Sequence, residues 1–187
     1  MRQSRKDQSG PDERLMKTVV AKHLEIYKKK VQPAKGAGPD FVFNGEIIET
    51  KGTDFDFDRA VKQMLDYAPK YRALSLALPI EAFTAQRVMQ LNTLAKVIYK
   101  QHSKMLKLLC VVLAQQPNIY KVAEINPLTV AYNVAETIGN MDIWSYPETQ
   151  AKPKNYEADR IQEIDILVQS ALKQLIIRAT DSATVVV

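Results

Sequence analysis

Asp40, Glu49 and Lys51 are the residues whose types and spacing suit metal-assisted hydrolysis. They lie on two β-prone runs, Asp40-Phe41-Val42-Phe43 and Glu46-Ile47-Ile48-Glu49-Thr50-Lys51, joined by Asn44-Gly45. Asn-Gly between such runs is the strongest short-range hairpin signal. A two-residue turn pairs Phe43 with Glu46, Val42 with Ile47, Phe41 with Ile48 and Asp40 with Glu49. Cross-strand partners stand about 4.5–5.5 Å apart at Cβ, and like charges so placed repel unless something compensates. Lys51, two residues beyond Glu49, falls on the same face. A divalent cation would relieve the repulsion. Mg²⁺ takes one or two carboxylates and fills its octahedron with water and phosphate oxygens, so these residues form the parts of a phosphodiester-cleaving centre. The alternative is a surface hairpin with an ordinary ion pair. Against it, Val42 and Ile47 share the carboxylate face while Phe41, Phe43 and Ile48 occupy the other, the pattern of a central strand pair.

Gly38-Pro39-Asp40 followed by Glu49-Thr50-Lys51 resembles the signature of the PD-(D/E)xK nucleases. Upstream, Gly10-Pro11-Asp12-Glu13-Arg14-Leu15 is similar to the start of the first helix of archaeal Holliday-junction resolvases. Downstream, Gln63-Met64-Leu65-Asp66-Tyr67 resembles the Q-x-x-x-Y element of RecB-like members. The likeness covers residues 10–80. It implies a restriction-endonuclease-like α/β core with a central mixed sheet flanked by helices. It also implies Mg²⁺, with Mn²⁺ as a substitute, held by Asp40, Glu49, the Thr50 main-chain carbonyl and Glu13. Glu25 is the alternative third carboxylate. Lys51 would orient the attacking water, and Gln63 and Tyr67 would orient that lysine or contact DNA. A homodimer follows from the resemblance alone. The four-cysteine cluster of the iron–sulfur members is missing, since Cys110 is the sole cysteine.

The elements that must position these residues are legible from periodicity. Leu15, Met16, Val19, Val20, Leu24 and Tyr27 recur at helical spacing and predict a helix from Pro11 or Asp12 to about Lys30. Acidic residues open it and Lys28, Lys29 and Lys30 close it, as the helix dipole favours. Val31 to Pro39 reads as a loop or short edge strand. A helix over about 58–68, with Asp58 as N-cap, leads to a strand over 73–78. A long helix over 81–103 precedes strands over 105–114 and 119–125. Residues 126–155 read as irregular. The closing helix spans 157–178, with Ile161, Ile164, Leu167, Val168, Ala171, Leu172 and Leu175 on one stripe. This order is α/β. The expected organisation is a disordered basic tail over 1–10 and one nuclease-like domain over 11–187, with its core within 11–125 and a C-terminal elaboration over 126–187.

With 187 residues, 46% hydrophobic and 25% charged, the chain has the profile of an ordinary globular protein. No apolar run approaches the ~20 residues of a membrane helix. The polar N-terminus lacks the apolar region of a secretory signal, and an intracellular setting is expected. Residues 1–40 hold ten Lys or Arg against five Asp or Glu, whereas the other 147 balance at sixteen of each. That basic end, Lys28–Lys30 included, points to phosphate contacts on DNA or to a solvated helix face.

His23 reads as an ordinary helix histidine, and His102, near Lys100 and Lys104, as a solvated helix end or a phosphate contact. Asp54, Asp56 and Asp58 lack the spacing of a calcium loop, and Trp144 and Tyr146 read as packing anchors or base-stacking groups. No phosphate-binding G-x-x-x-x-G-K-[ST] loop is present, so no nucleotide cofactor is expected. The expected function is Mg²⁺-dependent DNA cleavage, structure-specific in recombination, repair or replication. The alternative is a DNA-binding or assembly protein that keeps the fold without catalysis.

Overall fold

The computed structural model describes residues 10–32, 36–113, 116–139, 156–179 and 181–187. Their elements, in chain order, are α1 (Glu13–Ile26), β1 (Phe41–Phe43), β2 (Glu46–Thr50), α2 (Phe57–Tyr67), β3 (Ala73–Pro79), a 3₁₀ turn (Ile80–Ala82), α3 (Ala85–His102), β4 (Leu106–Leu113), β5 (Ile119–Ile125), α4 (Pro127–Gly139), α5 (Tyr156–Arg178) and β6 (Ala183–Val186). The expected α/β class with a mixed central sheet is what the chain forms.

Six strands make one sheet in sequential order. β2, β3 and β4 run parallel, while β1, β5 and β6 are antiparallel to their neighbours. Parallel neighbours need a crossover, and α2 and α3 supply the two. The hairpin register is Phe41–Ile48, Val42–Ile47 and Phe43–Glu46. Asn44 (φ 50°) and Gly45 (φ 75°) both adopt the left-handed conformation that a tight primed turn requires. Gln32 bridges Val42 on its outer side, the short edge contact expected of residues 31–39.

Alternation along the strands feeds two apolar layers. Ile47, Leu74, Leu76, Leu108, Cys110 and Ile125 face α2–α5. Ile48, Ala77, Leu109, Val111, Val122 and Val185 face Met16, Val19, Val20 and Leu24 of α1. One helix therefore covers one face and four cover the other. No helix among the described residues is long and apolar enough to cross a membrane.

Several boundaries depart from expectation. α1 ends at Ile26 rather than Lys30, because Lys28 takes φ 51° and the Lys29 N–H returns to the Leu24 carbonyl at 3.0 Å. This is a Schellman-type stop with lysine where glycine is usual, so Lys28–Lys30 lie beyond the last helical turn. The N-cap of α2 is Asp56, whose Oδ1 accepts from the Arg59 N–H at 3.0 Å; Asp58 sits in the first turn.

Residues 127–139, expected to be irregular, form α4. Pro127 occupies its first position, where no N–H is needed, and Asn126 Oδ1 accepts from Leu128 N–H at 2.8 Å. Along α5 the core face is Val168, Leu172 and Ile176, while Ile161 is exposed. β6 was not anticipated. It borders β5, and α1 rests against it, with Lys22 Nζ donating to the Val186 carbonyl at 2.9 Å. Residues 1–9 of the expected tail over 1–10, and Trp144 and Tyr146, lie outside the described residues.

Candidate active site

The carboxyl end of β2 carries three buried polar residues in succession: Glu49, Thr50 and Lys51, 3%, 0% and 8% exposed. Polar groups so deep must be paired to be tolerated. Strand alternation sends Glu49 and Lys51 to the α2 side of the sheet. There Lys51 Nζ meets Glu49 Oε1 at 2.5 Å. The other carboxylate oxygen, Oε2, is buried without a partner. Burial pushes the Glu49 carboxyl above its ordinary range; the Lys51 hydrogen bond and charge oppose the shift, as does a hydrogen bond from the Asp40 main chain, and the Asp40 charge adds to it.

The three observed pairs have the expected register, and the ladder stops at Phe41–Ile48, one residue short of Asp40 and Glu49. Asp40 Oδ2 accepts from the Thr50 N–H at 2.8 Å and from Thr50 Oγ1 at 2.6 Å. A short acidic side chain that satisfies a nearby backbone donor competes with the ladder and wins at its mouth. Thr50 thus has a role beyond the expected carbonyl: its N–H and hydroxyl fix the Asp40 carboxylate.

The remaining Asp40 oxygen, Oδ1, lies 2.8 Å from Lys17 Nζ, and the same ammonium lies 2.7 Å from Glu13 Oε1. Hydrogen bonds to Asp40 and then to Glu13 raise the Lys17 pKa well above its usual value. Lys17 was missed in the sequence. Its signal was present, one helical turn after Glu13 on the same face. Glu13 is therefore the helix carboxylate linked to Asp40, through Lys17. Glu25, twelve residues along α1 and exposed, stands about 18 Å away at 1.5 Å per residue.

Tyr67 closes the α2 side. Its ring is buried, and its hydroxyl pKa is pushed up to about 12, first by burial and then by the charges of Glu49 and Asp40. Gln63, one turn earlier, buries Oε1 without a partner. The Q-x-x-x-Y tyrosine therefore lies within electrostatic reach of both carboxylates. Lys28–Lys30 do not join the cluster: they follow the far end of α1, about 20 Å from Glu13, and Lys29 Nζ stands 5.5 Å from the Phe43 ring centre. The His23 and Tyr27 rings meet at a tilt, centroids 4.9 Å apart, and burial lowers the His23 pKa.

Among the described residues, no three His, Cys, Asp or Glu side chains are gathered as a ready-made metal group. With the Lys17 ammonium between them, Glu13 and Asp40 already share a cation. The donors available to a metal are carboxylate oxygens, suited to a hard ion such as Mg²⁺, and Glu49 Oε2 is a buried acceptor without a donor. Asp40 and Glu49 offer oxygens of the type a divalent cation takes, while Lys17 holds the Glu13 and Asp40 oxygens in this structure. Beside the cluster, Glu13, Arg14, Lys17, Thr18, Ala21 and Phe41 line a shallow groove of about 680 Å³. No protein-family model matches the chain, and neither a curated protein nor a solved structure is similar to it.

Proposed function

We propose that the protein is a Mg²⁺-dependent nuclease that hydrolyses DNA phosphodiester bonds, acting on branched or end structures as a homodimer. The observation that carries this reading is the buried Glu49–Lys51 pair with an unpartnered carboxylate oxygen, next to an Asp40 fixed by Thr50. A buried charge pair that leaves one acceptor unsatisfied is a poor device for stability alone. It is a sound device for holding an ion beside a proton-bearing amine.

Asp40 and Glu49, with Glu13 as a third carboxylate, would hold the ion, which when bound supplies Lewis-acid neutralisation of charge on the phosphodiester. Lys51 has three ammonium protons. One is spent on Glu49, and the others are free to orient an attacking water and to meet a phosphoryl oxygen. Tyr67 keeps its proton at neutral pH and offers a further donor. Arg14 and Lys17 place two cations along the adjoining groove, beside the Glu13 carboxylate that also lines it, and a DNA phosphate would pair with them.

A second reading, DNA binding or assembly without catalysis, draws on Lys17, because an ammonium shared by two carboxylates can satisfy them permanently. Cleavage of plasmid and single-stranded DNA separates the two. The nuclease reading requires cleavage in Mg²⁺ or Mn²⁺, none in EDTA, and loss in Asp40→Asn, Glu49→Gln and Lys51→Ala. Mg²⁺ should raise the melting temperature of the wild type and of Lys51→Ala but not of the two carboxylate variants, since only binding to the folded state stabilises it. Equal cleavage in EDTA and Mg²⁺ would exclude the metal mechanism.

A further inference from the structure

We infer that Lys17 is an exchangeable internal cation: its ammonium holds Glu13 and Asp40 together in the metal-free protein and, when a divalent ion takes those carboxylates, swings into the adjoining groove to meet a DNA phosphate. The inference rests on the nuclease reading and adds to it a coupling between metal and DNA.

Geometry makes the two cations mutually exclusive. Lys17 Nζ sits 2.7 Å from Glu13 Oε1 and 2.8 Å from Asp40 Oδ1. Asp40 has only that oxygen to offer, because Oδ2 is committed to the Thr50 N–H and hydroxyl. An ion on Asp40 Oδ1 and Glu13 would stand within a few ångströms of the ammonium, where like charges repel strongly.

Exposure makes the exchange easy. The Lys17 and Glu13 side chains are 42% and 49% exposed, so their bridge is hydrated and of the weak, screened kind, while the bridge to Asp40, 17% exposed, is the firmer of the two. The Lys51–Glu49 bridge, 10% and 4% exposed, is the opposite. Of the two lysines at the site, Lys17 is the one built to let go.

The groove supplies a destination. Glu13, Arg14, Lys17 and Thr18 line it together with Phe41, so an ammonium released when Glu13 takes the ion stays beside Arg14 on the same helix. Four methylenes give it the reach to do so without moving α1. Linkage then demands reciprocity: a phosphate that draws Lys17 away raises metal affinity by the factor by which metal raises DNA affinity.

The test combines Mn²⁺ binding, followed by the electron paramagnetic resonance of free Mn²⁺ without DNA, with duplex binding by fluorescence anisotropy with and without Ca²⁺. Lys17→Met keeps the stem and removes the charge. It should bind Mn²⁺ about three- to tenfold more tightly than wild type, the scale of one exposed and one part-buried bridge, and Lys17→Arg should return towards wild type. Ca²⁺ should tighten DNA binding in wild type and do so at most weakly in Lys17→Met. Unchanged or weaker Mn²⁺ binding in Lys17→Met would overturn the inference, since a purely structural lysine loosens the site when removed. Absence of Mn²⁺ binding by wild type, or full binding by Asp40→Asn, would instead overturn the metal reading beneath it.

Discussion

A β-carbon at Gly52 would stand 2.7 Å from the main-chain nitrogen of Glu13 and 2.9 Å from the carbonyl carbon of Asp12. Glycine is required here for space alone. The chain leaving β2 touches the first turn of α1 backbone to backbone, and the Thr53 N–H donates to the Pro11 carbonyl at 3.0 Å. Gly52→Ala should therefore cost about 1–3 kcal/mol, the usual penalty of overpacking, and should push Glu13 and Lys17 away from Asp40. Urea unfolding gives the first effect, and the Mg²⁺-induced thermal shift gives the second. A variant as stable as wild type would mean that the two segments separate freely.

Thr50→Val keeps the buried shape and β-branching but deletes the hydroxyl bonded to Asp40 at 2.6 Å. A hydrogen bond to a charged group is worth about 1.5–3 kcal/mol, and the partial exposure of Asp40 puts the expected loss at the low end. Thr50→Ser should restore most of it. Equal stability of the Val and Ser variants, measured by chemical denaturation, would remove the hydroxyl from the account.

Glu81 follows β3 in the 3₁₀ turn, with Oε2 buried and unpartnered. Burial raises its pKa above the ordinary 4.5, opposed by a backbone hydrogen bond and by Lys173. The folded state therefore holds this proton to higher pH than the unfolded state does. Its stabilising contribution is present below pH 4.5 and is lost as pH rises through the raised value. Glu81→Gln should match wild type at pH 4 and exceed it at pH 7 in denaturant midpoint. A gain confined to acid pH would reverse the sign.

Lys28 holds a left-handed backbone conformation that costs a non-glycine residue about 1–2 kcal/mol. Lys28→Gly should therefore leave stability unchanged or raise it while removing one positive charge, a clean probe of DNA contact. If Lys28 meets a phosphate, the salt dependence of duplex binding should flatten by roughly 0.9 in the log–log slope, with sequence preference untouched. An unchanged slope assigns the lysine to solvent, consistent with its distance from Glu13.

The hairpin was legible because its information is local: Asn44-Gly45 sets the turn, the turn sets the register, and Ile47 and Ile48 decide which face is which. The crossover helices were legible for the same reason. What escaped depends on partners far away in sequence. The Asp40 carboxylate turns to Thr50, which offers it two donors. Lys17 joins the site because α1 crosses the end of β2. β6 is four residues that read as a strand only once β5 is beside them. Pro127 signals a break, yet it also suits the start of a helix, and only the burial of Val130 and Val134 decides between the two.

The seat of α1 between β3 and β6 has a consequence for the order of assembly during synthesis. The helix that carries Glu13 and Lys17 is made first, but its bed includes Val185, and Lys22 is tied to the carbonyl of Val186. As the chain leaves the ribosome, at about 5–20 residues per second, α1 must wait roughly 8–30 s for residues 183–187 before its packing is complete. The acidic cluster is therefore finished late, and a nascent chain stalled before β6 would carry the parts of the site without their alignment.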